Sequence, residues 1–353
     1  MKQSQMAQRK DEHLNLALAQ QVTKPSDFDK MRFVHHSFSL LAAEEIELAT
    51  QWAGKQHAFP FYINAMTGGS EKSKHYNEQL SILARETNLA LASGSVSAAI
   101  KDLSVKETYE IMRQVNPDGF ILANLGAHHS LESAQRAVEL LDADALQIHL
   151  NVPQEVVMPE GDRDFRNWLQ NIEQIVRYLD KPVIVKEVGF GMSYQTMRQL
   201  VDIGVQTLDV SGRGGTNFIQ IENERGNQYD YQTLYQHGQS TAESLLESLR
   251  MMSECDVLAS GGIRQPVDIV KALALGAKSV GIAGGILALL HRQGLDTAIA
   301  QIIKWQEQLA QIYLMLGARS TLELQKTDII LTGTLREWAQ DRQIDYQQLA
   351  RRR

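Results

Sequence analysis

A chain of 353 residues carrying a formal charge of −7, with 43% hydrophobic and 22% charged residues, has the make-up of a globular protein able to bury a sizeable core. The acidic balance excludes a broad polyanion-binding face, which needs a basic stripe, so any anion must be met locally. One cysteine, Cys255, excludes an intrachain disulfide, while the polar start and the shortness of the apolar run from Val280 to Leu290 argue against secretion or membrane insertion and predict a cytoplasmic protein.

Residues 1–58 lie outside any strand-helix repeat and are expected to form an N-terminal extension. Within it Arg9, Lys10 and His13 fall at helical spacing, so in a helix their basic groups converge on one edge and could hold a diphosphate. Charge runs of this kind are also common on solvated helix faces, as is the terminal run Arg351 to Arg353, which is read as a solvated end. From residue 59, eight short apolar runs recur at 59–64, 89–94, 119–126, 145–151, 182–189, 207–212, 256–262 and 279–285. Each closes on a Gly, Asn or Ser cluster, and amphipathic periodicity such as Ile172, Ile175, Val176 and Leu179 separates them. Near-continuous hydrophobic strands alternating with helices predict an α/β fold, a (β/α)8 TIM barrel over 59–353. The polar stretch 213–240 falls off the pattern and is expected to be a loop or lid.

A barrel builds its site at the C-terminal ends of its strands, so the residues closing each run carry the chemistry. Gly261-Gly262 and Gly284-Gly285 follow the seventh and eighth runs, where barrels bind phosphate on backbone N–H groups and a helix N-terminus. No dinucleotide fingerprint occurs, since Gly189 and Gly191 are followed by Tyr194 where the third glycine belongs. A phosphate there, with polar donors at the earlier strands, suits flavin mononucleotide (FMN), and Lys186 could place a cation near the edge where reduced flavin holds negative charge. In the fourth run Gln147, His149 and Asn151 share one face by alternation, which puts a polar row inside the barrel. Glu155, just beyond, is the candidate ligand for a hard cation such as Mg²⁺, which favours one or two carboxylates plus phosphate oxygens.

The stretches Arg9-Lys10-Asp11-Glu12-His13, Met66-Thr67-Gly68-Gly69, Ala123 to Gly126, His149 to Glu155, Pro159 to Phe165, Val185 to Gly189, Ser211 to Thr216 and Gly261 to Arg264 together resemble the motifs of type 2 isopentenyl diphosphate isomerases, in order and over nearly the whole chain. The resemblance implies interconversion of isopentenyl and dimethylallyl diphosphate with reduced FMN, NADPH as reductant and Mg²⁺, in a tetramer or octamer. It implies FMN contacts from Ala65, Met66, Thr67, Ser95, Asn124, Lys186, Ser211, Thr216, Gly262, Ile263, Arg264, Ala283 and Gly284. Arg9, Lys10, His13, Ser95, Ser97 and Gln154 are implied at the substrate, His149, Asn151 and Gln154 in catalysis, and Glu155 at the metal. The main rival is an FMN-dependent 2-hydroxy acid oxidase or dehydrogenase, but that chemistry calls for a histidine base near the late strands, and the sixth run ends Ser211-Gly212-Arg213-Gly214-Gly215 without one. A dehydrogenase with a catalytic cysteine would have to use Cys255, which precedes the seventh run, on the face away from the site. A flavin-binding scaffold without turnover has no use for the intact basic cluster and Glu155.

Overall fold

The computed structural model describes residues 5–20, 25–66, 68–226 and 229–352. Its centre is a closed, all-parallel barrel of eight strands: β1 (Phe61–Ile63), β2 (Leu91–Ala92), β3 (Ile121–Gly126), β4 (Ala145–Leu150), β5 (Val183–Glu187), β6 (Thr207–Asp209), β7 (Asp256–Ser260) and β8 (Ser279–Ile282). Each lies within one of the eight apolar runs. Strands covered on both faces need no polar side, which is why β3 is buried at every position. The pairing sets Asn124 beside Gln147, His149 beside Lys186 and Lys186 beside Asp209, so these side chains share the inward face.

Two layers fill the interior. At the N-terminal end Tyr62, Phe120, Leu122, Ile184 and Leu258 pack with Trp52, which arrives on a hairpin formed by Thr50–Trp52 and Lys55–His57. Above this apolar plug lies a polar layer around Asp209 and Gln147, both fully buried. The extension is woven into the barrel's surroundings, since Met31–Phe33 pairs antiparallel with Ile329–Leu331 from the far end of the chain.

The helix Gln5–Ala19 buries Leu14, Ala17 and Leu18, an apolar stripe at i, i+3 and i+4, and so turns its basic edge toward the barrel mouth. Within 213–226 and 229–240 there is more regular structure than the loop the sequence suggests. They contain the helix Phe218–Glu224, whose start is capped by the Asn217 side chain accepting from Gln220 N, and a short 3-10 turn at Gln232–Leu234. Of the C-terminal arginines Arg351 is exposed as expected and Arg353 lies outside the described residues, but Arg352 docks, donating from Nη1 to Ala274 O at 2.6 Å and from its backbone N–H to Asp328 at 2.7 Å. Among the described residues no helix is long and apolar enough to cross a membrane.

Candidate active site

A cavity of about 340 Å³ opens at the C-terminal ends of the strands. Every site residue expected from the sequence lines it except Thr67, which lies outside the described residues. The cavity has two chemically different ends.

At the β7–β8 end the backbone comes close because side chains are missing. Gly261 has φ +92°, and a Cβ there would stand 2.0 Å from Gly212 O; Gly262 has φ +73°, with Gly214 Cα 3.1 Å from any added Cβ. The helix Gly284–Gln293 starts in the cavity wall with no side chain among the described residues capping it, leaving its N-terminal dipole to an outside anion. These two features fit the phosphate of a bound nucleotide. Lys186 is buried beside them, donating to Glu187 O at 2.5 Å and Ser211 Oγ at 3.2 Å. Burial pushes its ammonium below the ordinary lysine range against the pull of Asp209 and Glu187, and an anionic ligand edge would favour its charged form. Ser211 holds φ +29°, costly for a residue with a Cβ, and its N–H is anchored on Asp209 at 3.1 Å. Arg264 lines the same end, with its guanidinium held by Asp29 at 2.9 and 2.6 Å and by Asp268 at 3.0 and 3.2 Å.

The opposite end is roofed by the leading helix. Arg9 and Lys10 bring charge into the cavity; Arg9 Nε is buried with no hydrogen-bond partner among the described residues, as a group awaiting an anion would be. Burial, and secondarily Arg9, brings Lys10 down to about 8. His13 lines the cavity with them and meets a carboxylate. Its Nε2 lies 2.9 Å from Glu222 Oε1, yet burial outweighs that carboxylate and keeps its pKa below the usual histidine value. Glu222 is the functional residue the sequence reading missed. It is fully buried and takes bonds from Gln154 Nε2 at 3.0 Å and from Arg225; burial raises its pKa, but these donors and His13 outweigh burial and keep it ionised. Arg225 in turn holds Glu12 at 3.2 Å and Glu160 at 3.0 Å, tying the leading helix to the segment after β4. The one sequence signal for this group was Asn217 followed by Phe218-Ile219, a helix start within a polar stretch.

At the tip of β4, Asn151 donates from Nδ2 to Glu155 Oε1 at 2.8 Å, and Glu155 Oε2 accepts from the Asp162 N–H at 2.8 Å. Each carboxylate oxygen keeps a lone pair. Among the described residues no three His, Cys, Asp or Glu side chains gather as a complete metal cage, so a cation at Glu155 would take its other ligands from phosphate oxygens and water, the habit of Mg²⁺. Beneath the tip, His149 Nδ1 lies 2.8 Å from Asn124 Oδ1, and Asn124 Nδ2 donates to Gln147 Oε1 at 2.9 Å.

The family of FMN-dependent dehydrogenases matches residues 155–331. Solved structures of mandelate oxidase resemble the chain at a TM-score of 0.63 with 18% identity, over 91% of this chain and 92% of theirs, which establishes the shared barrel. Sequence likeness is much stronger elsewhere. The isopentenyl-diphosphate delta-isomerase of Staphylococcus epidermidis is 47% identical over 97% of this chain and 98% of its own. That of Latilactobacillus sakei is 50% identical over 97% and 98%, and that of a Streptomyces species 48% over 98% and 95%. With the flavin-type cradle and the basic roof in one cavity, and identity of this order from end to end, the chain belongs to the isopentenyl-diphosphate delta-isomerase family, built on the FMN-dependent dehydrogenase barrel.

Proposed function

We propose that the enzyme interconverts isopentenyl and dimethylallyl diphosphate in the cytoplasm as a homo-oligomer, with FMN reduced by NADPH and with Mg²⁺ at Glu155. The observation that carries this reading is the meeting of two anion sites in one cavity: the uncapped helix and glycines at β7–β8, and Arg9 with Lys10 from the roof. A redox enzyme on a small acid needs only the first.

Shifting a double bond adds a proton to one carbon and removes one from another, through a tertiary cation-like state that water would capture. Reduced FMN, when bound, supplies an electron-rich surface and an exchangeable proton. The chain's own residues do the rest. Arg9 and Lys10 fix the diphosphate, and Glu155 holds the cation that neutralises it. Glu222 keeps Gln154 and His13 in place while staying ionised and out of reach of solvent. The leading helix, latched by Arg225, excludes water. Anaerobic incubation with FMN, NADPH, Mg²⁺ and isopentenyl diphosphate tests the proposal: product should accumulate far beyond the NADPH consumed. Product limited to one equivalent of NADPH, or steady oxidation of lactate or glycolate, would instead support a redox enzyme. Glu155→Gln, His149→Ala and Arg9→Ala should each impair isomerisation while the protein stays yellow; full activity in all three would remove the site assignment.

A further inference from the structure

The polar layer under the cavity is a single file of hydrogen bonds whose direction is fixed at one end. Asp209 accepts from Tyr62 OH at 2.9 Å, Asn64 Nδ2 at 3.0 Å, Ser260 Oγ at 2.8 Å and the Ser211 N–H at 3.1 Å. The Ala65 N–H donates to Asn64 Oδ1 at 2.8 Å. A carboxylate with four donors around it can only accept and a backbone N–H can only donate, so Asn64 has one possible orientation. Gln147 must then give Nε2 to Asn64 Oδ1, at 3.1 Å, which leaves its Oε1 to accept from Asn124 Nδ2 at 2.9 Å. Asn124 therefore meets His149 Nδ1 with its oxygen, at 2.8 Å, and the ring nitrogen facing that oxygen must carry the hydrogen.

We infer that His149 is held as its Nδ1–H tautomer, presenting Nε2 to the cavity as a hydrogen-bond acceptor, and that Gln147, anchored through Asn64 on Asp209, is the positioning residue that enforces this. Gln147 and Asp209 are fully buried and do not line the cavity, so they act only through their neighbours. Burial, with Lys186 and the histidines nearby, pushes His149 well below the usual histidine value, which keeps the ring neutral. The same wall carries a second acceptor, since Asn151 Oδ1 is buried without a partner among the described residues. This strip accordingly recognises N–H or O–H donors on the bound molecules. A phosphate oxygen can settle at Nε2 only if a proton is taken up with it, so charge recognition of the diphosphate falls to Arg9 and Lys10. The inference deepens the proposed isomerase reading but its test needs no turnover, so the two can fail separately.

The test is long-range proton–nitrogen NMR on the FMN-loaded protein with ¹⁵N-labelled histidine, His149 being assigned by its loss in His149→Gln. A pyrrole-type Nδ1 and a pyridine-type Nε2 are expected. The reverse pattern in the wild type overturns the inference outright. In Gln147→Met, and in Gln147→Leu as a second variant should the first not fold, Asn124 is free to turn over. Both nitrogen signals should then shift toward the Nε2–H form that an unconstrained imidazole favours, with flavin absorbance and thermal melting retained. A folded Gln147 variant whose His149 pattern stays as in the wild type overturns the role of the file, because a packing role alone would predict that result.

Discussion

Lys10 gives the pH dependence of substrate binding a definite sign and size. In the free enzyme, burial first and Arg9 second lower its ammonium from 10.5 to about 8, a change equivalent to about 3 kcal/mol against the charged form at roughly 1.36 kcal/mol per pH unit. A diphosphate beside it favours the charged form and returns the pKa toward its ordinary value. Below about pH 8 both states hold the proton and affinity is flat. Above it the free enzyme has lost a proton that the complex keeps, so each further pH unit weakens binding about tenfold until the complex titrates too. Between about pH 7 and about pH 9.5 the affinity for a non-reactive alkyl diphosphate, itself fully ionised over most of this range, should fall roughly thirtyfold, with nearly one proton taken up per ligand at the upper end. Isothermal titration calorimetry in buffers of contrasting ionisation enthalpy measures both quantities. Lys10→Met should bind weakly at every pH and lose the slope. A wild-type affinity that stays level across this range, or a Lys10→Met slope equal to the wild type's, refutes the reasoning.

Three further outcomes follow from other parts of the site. Gly261→Ala places a methyl 2.0 Å from Gly212 O in a left-handed conformation that costs a residue with a Cβ about 1–2 kcal/mol, so FMN affinity by fluorescence quenching should drop at least about tenfold; a yellow variant with wild-type affinity would show that the cradle is not the phosphate site. Arg225→Met removes the link between Glu12, Glu160 and Glu222 and strands a buried carboxylate, which should cost about 1–3 kcal/mol and expose the leading helix to limited proteolysis. An unchanged digestion pattern would mean the latch is not what holds that helix. Cys255 is buried, its thiol pushed up to about 11 mainly by burial, and Cys255→Ser should keep kcat within about twofold; a large loss would reopen thiol chemistry.

How far the molecule can be read from its sequence depends on whether a signal is local. The strand runs are legible because hydrophobic period and Gly-rich ends coincide at each of them, and the inward row Gln147, His149 and Asn151 follows from alternation within one strand. Glu222 was not legible. Its partners His13, Gln154 and Arg225 come from three elements, and nothing in the run Ile219 to Asn223 distinguishes a buried carboxylate from a solvated one. Asp209 is similar: a lone acid closing an apolar strand gives no hint that Tyr62, Asn64 and Ser260 converge on it. Arg264 shows the same limit, because nothing local announces that Asp29, remote in sequence, holds its guanidinium.

The ribbon joining Met31–Phe33 to Ile329–Leu331 bears on how the polypeptide matures during synthesis. All eight barrel strands precede residue 329, so they can leave the ribosome and close while the strand at 31–33 still waits for its mate. The roof helix upstream of that strand is held from the barrel side instead, by Arg225 on Glu12 and by Ser70 on Asp11, so it can settle before the ribbon forms. The barrel and its cover can therefore be in place before the ribbon ties the two ends of the chain together.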